Sequence, residues 1–168
     1  PVQDLGNAFS VFVAQNHGAG LHQRIKSGIK QTLASTAIFC AVISLMVCLF
    51  AEPLMKLFVD GSSVQTVAVG AEYLRTEGAS YIGIGILFMM YGYYRAVNKP
   101  FMSVVLTVIS LGTRVVLANV LSAVPEIGVF GIWISIPIGW FLADSAGAAY
   151  FALRERKRYS TAERVSGK

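Results

Sequence analysis

Residues 31–51 read QTLASTAIFCAVISLMVCLFA, a run of 21 residues without one charged side chain. Because an α-helix rises about 1.5 Å per residue, such a run reaches across the roughly 30 Å hydrocarbon core of a bilayer. Transmembrane strands are about 10 residues long and alternate in polarity, which this run does not do. The stretch therefore predicts a membrane-spanning helix.

Similar apolar segments recur on both sides of this run. Three of them, at about 71–94, 101–124 and 127–153, meet the length for a spanning helix, whereas the segment at 1–16 is too short to span by itself. Turn-forming residues separate the segments, and Pro137 inside the last one predicts a kink. The sequence thus predicts an all-α integral membrane protein.

The composition agrees with a lipid environment. Only 14% of the 168 residues are charged and the mean hydropathy is +0.61, whereas an ordinary soluble domain carries roughly 25% charged residues. The formal charge is +5, but the basic residues sit between apolar runs rather than on one folded face. We therefore expect the bilayer as a partner, and no nucleic acid.

The basic residues mark alternate connections between the segments. By the positive-inside rule, connections rich in Lys and Arg lie in the cytoplasm. This predicts a cytoplasmic C-terminus and cytoplasmic connections after the first and third segments. The first connection contains Arg24, Lys26 and Lys30, and the third contains Arg95 and Lys99. The tail contains Arg154, Arg156, Lys157, Arg158, Arg164 and Lys168.

A four-residue repeat of apolar side chains precedes the run at 31–51. Leu21, Ile25, Ile29 and Leu33 alternate with polar residues. The pattern fits an amphipathic helix on the cytoplasmic membrane surface, or an early start of the next spanning helix. Both interpretations stay open at this point.

Short motifs along almost the whole chain, in order, resemble the MATE family (multidrug and toxic compound extrusion). They are QNHGAG at 15–20 followed by RIKSG at 24–28, FAEPLMKLF at 50–58, AEYLR at 71–75, YYRAVNKP at 93–100 and GIWISIPIGW at 131–140. No single motif is specific, but the set together is similar to this family.

The resemblance implies a twelve-helix transporter in two six-helix lobes, of which this chain would hold the end of helix eight and helices nine to twelve. Residues 1–153 would be a partial C-terminal transmembrane lobe and residues 154–168 a basic cytoplasmic tail. The family exports cationic, amphiphilic small molecules across the plasma (cell inner) membrane in exchange for H⁺ or Na⁺. Without its N-terminal lobe, the segment is expected to be inactive alone.

Glu77 and Arg114 are ionisable residues inside predicted spans, where charges are costly and usually functional or paired. Counted from the outer helix ends they lie at similar depths, about 9 and 12 Å. One hypothesis is an ion pair that ties two helices together. The other is a polar lining of the outer vestibule.

Two more carboxylates fall within the apolar segments. Asp144 is one residue off a face of small residues in the last segment, and we expect either a hydrogen-bonded packing carboxylate or a ligand for a cation or proton. Asp4, with Asn7 one turn further on, would lie near mid-membrane and is a candidate for the lining of the lobe.

Tyr81 and Met89 complete the set of candidates for a substrate cavity, because aromatic and thioether side chains adapt to flat, varied ligands. Some sodium-coupled MATE members carry an acid deep in the tenth helix, and that site falls near Ile84 here. The resemblance therefore implies that this ion ligand is absent and that coupling depends on the N-terminal lobe.

Other functions remain open. A related lipid-linked-saccharide flippase would need many basic residues to hold pyrophosphate, and only Arg114 lies within the predicted spans. A membrane assembly or anchor protein without transport activity would also fit the small residues and Pro137. The sequence contains no nucleophile–base set, phosphate loop or metal-ligand spacing, so we predict no enzyme, no metal site and no cofactor beyond the coupling ion.

Overall fold

The computed structural model describes residues 1–59 and 63–155. These residues form seven α-helices, a π-helical turn and no strand. In chain order the elements are α1 Val2–Gly18, α2 His22–Leu49, α3 Ala51–Met55, α4 Val64–Ala79, α5 Tyr81–Ala96, α6 Pro100–Ser122, α7 Val129–Tyr150 and the π-helical turn Phe151–Glu155. The prediction of an all-α chain is confirmed, and the larger part of the tail lies outside the described residues.

Three helical stretches in the described part are long and apolar enough to cross a membrane: His22–Leu49, Pro100–Ser122 and Val129–Arg154. They include three of the four predicted spans. The last one continues through Pro137 without interruption. This fits the tolerance of membrane helices for proline, since neighbouring helices can compensate for the lost backbone hydrogen bond.

The remaining predicted span, at 71–94, is not one continuous helix as expected. The chain forms α4 and α5 instead, which meet at Ser80. There the Ser80 amide bonds to the carbonyl of Glu77 at 3.2 Å, three residues back, so the helix tightens and its regular ladder is interrupted. Each half has 16 residues, and only the two together provide the length of a full span.

The repeat around residue 25 belongs to the early start of a long helix. α2 runs without a break from His22 to Leu49, so the interpretation as a separate amphipathic surface helix is wrong. Ile25 is fully buried, and Gly28 leaves room for the ring of Phe12 from α1. This contact with α1 holds the first turns of α2 in the bundle.

α5 lies at the centre of the bundle and contacts α1, α2, α6 and α7. Its closest approach is to α1, where Gly92 packs directly on the Gly6 carbonyl, and a Cβ at Gly6 would lie 2.7 Å from the Phe88 carbonyl oxygen. Small residues allow such backbone contact between membrane helices. A second close contact joins α6 to α7, with Gly139 over the Ser110 carbonyl.

The basic turn between α5 and α6 lies at the same end of the bundle as the end of α7. Lys99 Nζ lies 3.4 Å from the Tyr150 hydroxyl, so the α5–α6 turn adjoins the end of α7. At the opposite end Arg75 donates to Glu52 Oε1 at 3.1 Å. The helices thus alternate in direction as the charge pattern predicts, and the division into lobe and tail stays a prediction.

Candidate functional site

Asp144 is the most deeply buried carboxylate of the described residues. Its residue exposure is 8%, and neither carboxylate oxygen has a hydrogen-bond partner in the part of the chain that the structure describes. Within the described part of the chain, the hypothesis that Asp144 is a hydrogen-bonded packing carboxylate is therefore wrong. The hypothesis of a ligand for a cation or proton stays a prediction.

The position of Asp144 on α7 directs it toward α5. Trp140 and Gly147 lie one turn before and after it on the same helix face. The Trp140 Cβ would lie 3.3 Å from a Cβ built on Gly83, and Gly147 contacts the sulfur of Met90. Both Gly83 and Met90 belong to α5, so Asp144 lies in the α5–α7 interface.

An apolar cavity of about 290 Å³ lies next to this interface. Ala148, which follows Asp144 by one helical turn of about 6 Å, belongs to its wall. Met89 lines the cavity as well, whereas Tyr81 does not. The complete lining is Phe9, Ile29, Leu33, Ile86, Met89, Met90, Tyr93, Tyr94, Ala148 and Phe151.

The aromatic rings of the cavity are held by contacts with one another and with the backbone. The buried Tyr94 hydroxyl donates to the Gly147 carbonyl at 2.7 Å. Tyr93 makes edge contacts with the rings of Tyr94 and Phe151, with centroids 5.3 Å apart in both pairs. These contacts connect α5 to the end of α7 and fix the shape of the wall.

Glu77 and Arg114 do not form the expected ion pair. Arg114 acts on Glu77 electrostatically, yet Glu77 Oε1 and Arg114 Nε are buried without a hydrogen-bond partner among the described residues. The reason is the helix arrangement, because α6 packs chiefly along α7 while α4 contacts α2, α3 and α7. The vestibule hypothesis for these two residues stays untested.

Asp4 and Asn7 lie apart from the apolar cavity. The Asp4 carboxylate is exposed and lies 3.6 Å from the amino group of Pro1. Asn7 Oδ1 accepts a hydrogen bond from Arg95 Nη2 at 3.2 Å. Asn7 is therefore a partner of the basic end of α5.

A groove of about 300 Å³ has Arg95 in its lining together with hydroxyl-bearing and apolar side chains, and the sequence did not predict it. Ser103 and Thr107 from α6 reach the Tyr91 carbonyl and hydroxyl at 3.4 and 3.3 Å. The lining is Gln3, Phe88, Tyr91, Arg95, Ser103, Val104, Thr107 and Val108. The spacing of Ser103 and Thr107, one turn apart on α6, is the signal that could have indicated this face.

No group of three or more His, Cys, Asp or Glu side chains suited to a metal ion occurs within residues 1–59 and 63–155. Taken together, the apolar helices, the buried carboxylate and the cavities described above define a helical membrane-embedded protein. This is the class of protein that the fold and the site support.

Comparison with known proteins gives the family. The MatE family model matches residues 1–120. A solved structure described as an inward-facing multidrug resistance MATE family transporter of the MOP superfamily has a TM-score of 0.81 at 19% identity. The matched region covers 98% of this chain and 39% of the chain in that structure. The chain belongs to the MATE family of membrane transporters and is an integral membrane protein, and members of this family are not enzymes.

Two curated relatives extend over almost the whole chain. The probable multidrug resistance protein YoeA of Bacillus subtilis is 24% identical over 162 residues, which are 96% of this chain and 35% of YoeA. The FAD transporter of Shewanella oneidensis is 29% identical over 157 residues, which are 92% of this chain and 33% of that protein. The chain thus spans about a third of the length of these relatives.

Proposed function

We propose that this chain is part of a secondary antiporter that exports amphiphilic organic cations in exchange for H⁺ or Na⁺. The observation that carries the proposal is the apolar, aromatic cavity, whose wall includes Ala148, one helical turn along α7 from the buried residue Asp144. The family membership and the multidrug description of one relative support it. The rest of the transporter would supply the second lobe needed for alternating access.

The cavity suits flat, apolar ligands that carry a positive charge. Tyr93, Tyr94 and Phe151 offer ring faces and edges, and such rings attract organic cations. Met89 and Met90 can adjust to ligands of different shape, because the unbranched thioether side chain is flexible and polarisable. This combination favours broad rather than narrow substrate selection.

The proposed location is the plasma (cell inner) membrane, with the C-terminus in the cytoplasm. The end of the bundle that holds the α5–α6 turn and the end of α7 contains Arg95, Lys99 and Arg154. Basic residues favour the cytoplasmic side. In this orientation the apolar cavity lies in the cytoplasmic half of the lobe.

A second candidate substrate class is an anionic, phosphate-bearing molecule. One relative is described as a FAD transporter. The groove at Arg95 offers this side chain together with the hydroxyl-bearing side chains of Tyr91, Ser103 and Thr107, and no carboxylate belongs to its described lining. Arginine and hydroxyl groups are suitable donors for phosphate oxygens.

Efflux from cells that express the complete gene product containing these residues distinguishes the two candidates. Met89→Trp fills the apolar cavity, and a steric cost of about 1.4 kcal/mol would reduce ethidium export about tenfold. Arg95→Gln removes the charge of the groove and should leave ethidium export unchanged. Cells that export FAD but not ethidium, with export abolished by Arg95→Gln, would replace the cation proposal by the anion one.

A further inference from the structure

We infer that the first turns of α2 bind the headgroup of an anionic phospholipid, with Arg24 and Lys30 holding its phosphate. The inference goes beyond the proposed transport and does not depend on it. It begins from one side of α2 that the other described helices leave exposed. Exposed residues recur along this side every three or four positions, from Arg24, Ser27 and Gln31 at one end to Ile38, Val42 and Leu45 at the other. This period is that of one helix face.

The chemistry of the exposed face changes near residue 31. From Gln23 to Gln31 every exposed side chain is polar or basic, and from Ile38 to Leu49 every exposed side chain is apolar. The apolar part suits contact with lipid tails, since Ile38 is 68% exposed and no polar group follows it on this face. The face therefore has the order of groups of a phospholipid, with the polar part at one end.

The length of α2 places the basic part at the depth of lipid headgroups. Its 28 residues correspond to a helix of about 42 Å, whereas the hydrocarbon core measures roughly 30 Å and the whole bilayer about 40–45 Å. The charge-free run 31–51 fills the core. Lys30 then lies at the boundary of the core and Arg24 about 9 Å further out, so the two side chains bracket the layer of lipid phosphates.

The positive charge of this region is not balanced by neighbouring acids on its own part of the chain. The sequence contains no Asp or Glu between Leu5 and Ala51, which includes most of α1 and all of α2. At the other end of α2 the arrangement is different, because Arg75 forms an ion pair with Glu52 at 3.1 Å. The basic end of α2 therefore favours an anion from outside the chain.

The donors on this face suit a phosphate group. Guanidinium and ammonium groups form charge-assisted hydrogen bonds to phosphate oxygens. Ser27 lies three residues from both Arg24 and Lys30, so its exposed hydroxyl lies between the two basic side chains. A zwitterionic lipid carries its own ammonium group, which offsets the phosphate charge, whereas an anionic lipid keeps a net negative charge for Arg24 and Lys30. The face therefore selects anionic lipids.

The proposed lipid site is separate from the apolar cavity. Ile29 and Leu33 line that cavity, and Ile25 is fully buried. These residues mark the packed side of α2, which turns away from Ser27. A lipid headgroup at Arg24 and Lys30 thus leaves the cavity open for substrate.

The test uses the complete gene product that contains these residues, purified in detergent, and native mass spectrometry with added dioleoylphosphatidylglycerol or dioleoylphosphatidylcholine. The unsubstituted protein should retain phosphatidylglycerol more strongly. The double variant Arg24→Gln, Lys30→Gln should retain phosphatidylglycerol on the order of 25-fold less, about fivefold for each basic residue, and phosphatidylcholine equally. Lys56→Gln, which removes an exposed basic side chain beyond the other end of α2, is the matched control and should behave as the unsubstituted protein.

Three results would overturn the inference. They are equal retention of the two lipids by the unsubstituted protein, unchanged retention in the double variant, and an equal loss in Lys56→Gln. Glycerol 3-phosphate distinguishes a lipid from a soluble phosphate ester, because it has the phosphate without acyl chains. It should not displace the lipid, and displacement at equal concentration would assign the site to soluble phosphates instead.

A second measurement does not depend on the folding of a variant. The unsubstituted protein is placed in nanodiscs that contain phosphatidylglycerol with a photoactivatable diazirine next to the headgroup. After illumination, peptide mass spectrometry should locate the lipid label within residues 23–35. Labelling confined to other helices would overturn the inference.

Discussion

α5 and α6 are both apolar helices, yet their surroundings are opposite. In α5, Gly92 packs on the backbone of α1, and Gly83 and Gly85 lie against side chains of α7 and α2. In α6, a Cβ at Gly112 would meet nothing within 4 Å in the described structure, and Val115 is 61% exposed. The difference shows that hydropathy identifies a span but does not say which of its faces is packed.

The physical reason is that lipid tails are as apolar as a protein core. In water an exposed face is polar, whereas in a bilayer both the packed and the lipid-facing side can be apolar. Residue size then distinguishes the two sides. Close packing selects glycine, alanine and serine, while lipid accepts valine, leucine and isoleucine.

Substitution of the two glycines provides the largest expected effect. Gly92→Leu places a side chain where the Gly6 carbonyl lies, and we expect a loss of about 3 kcal/mol or more, because neither backbone can move away. Gly112→Leu is the matched control and should alter the free energy of unfolding by less than about 1 kcal/mol. Fluorescence-detected gel filtration and thermal unfolding of the complete gene product in detergent measure both.

Equal behaviour of these two variants would contradict the comparison, since it would mean that α5 and α6 are packed alike. Loss of folding in Gly112→Leu alone would show that α6 carries a close contact with a part of the protein outside the described residues. Either result would be visible as a change in the monodisperse peak.

A smaller effect is expected at the end of α5. Tyr94→Phe removes the hydroxyl that donates to the Gly147 carbonyl at 2.7 Å, so that this carbonyl keeps only the backbone hydrogen bond from Phe151. The expected loss is about 1–2 kcal/mol, measured as a lower midpoint of thermal unfolding. Tyr73→Phe is the control, because this side chain is 38% exposed and its ring makes an edge contact with the ring of Trp133. An equal loss in both variants would assign the effect to the ring environment rather than to the hydrogen bond.

The smallest effect is expected on the lipid-facing surface. Val115→Leu on α6 and Ile38→Leu on α2 change the shape of side chains that are 61% and 68% exposed. We expect changes of less than about 0.5 kcal/mol in unfolding free energy. A larger loss for Val115→Leu would show that this face of α6 is packed in the complete protein.

The charged residues show that depth along a helix, counted from the sequence, does not predict which side chains pair. Depth along the predicted helices placed Glu77 and Arg114 at similar levels, which suggested an ion pair. The structure does not pair them, and Glu77 Oε1 and Arg114 Nε are buried without a hydrogen-bond partner among the described residues, because α6 packs chiefly along α7. Depth follows from the sequence, but the neighbour of a helix depends on how all the helices pack around one another.

The sequence by itself determined the all-α membrane architecture, three of the spans and the alternation of basic connections, because the thickness of a bilayer and the cost of burying charge act on each segment separately. The tertiary structure decided the break at Ser80, the isolation of the Asp144 carboxylate in the α5–α7 interface and the two cavities. These features depend on the rotation and order of the helices. In an apolar solvent no pattern of polar and apolar residues fixes that rotation, and only contacts between helices do.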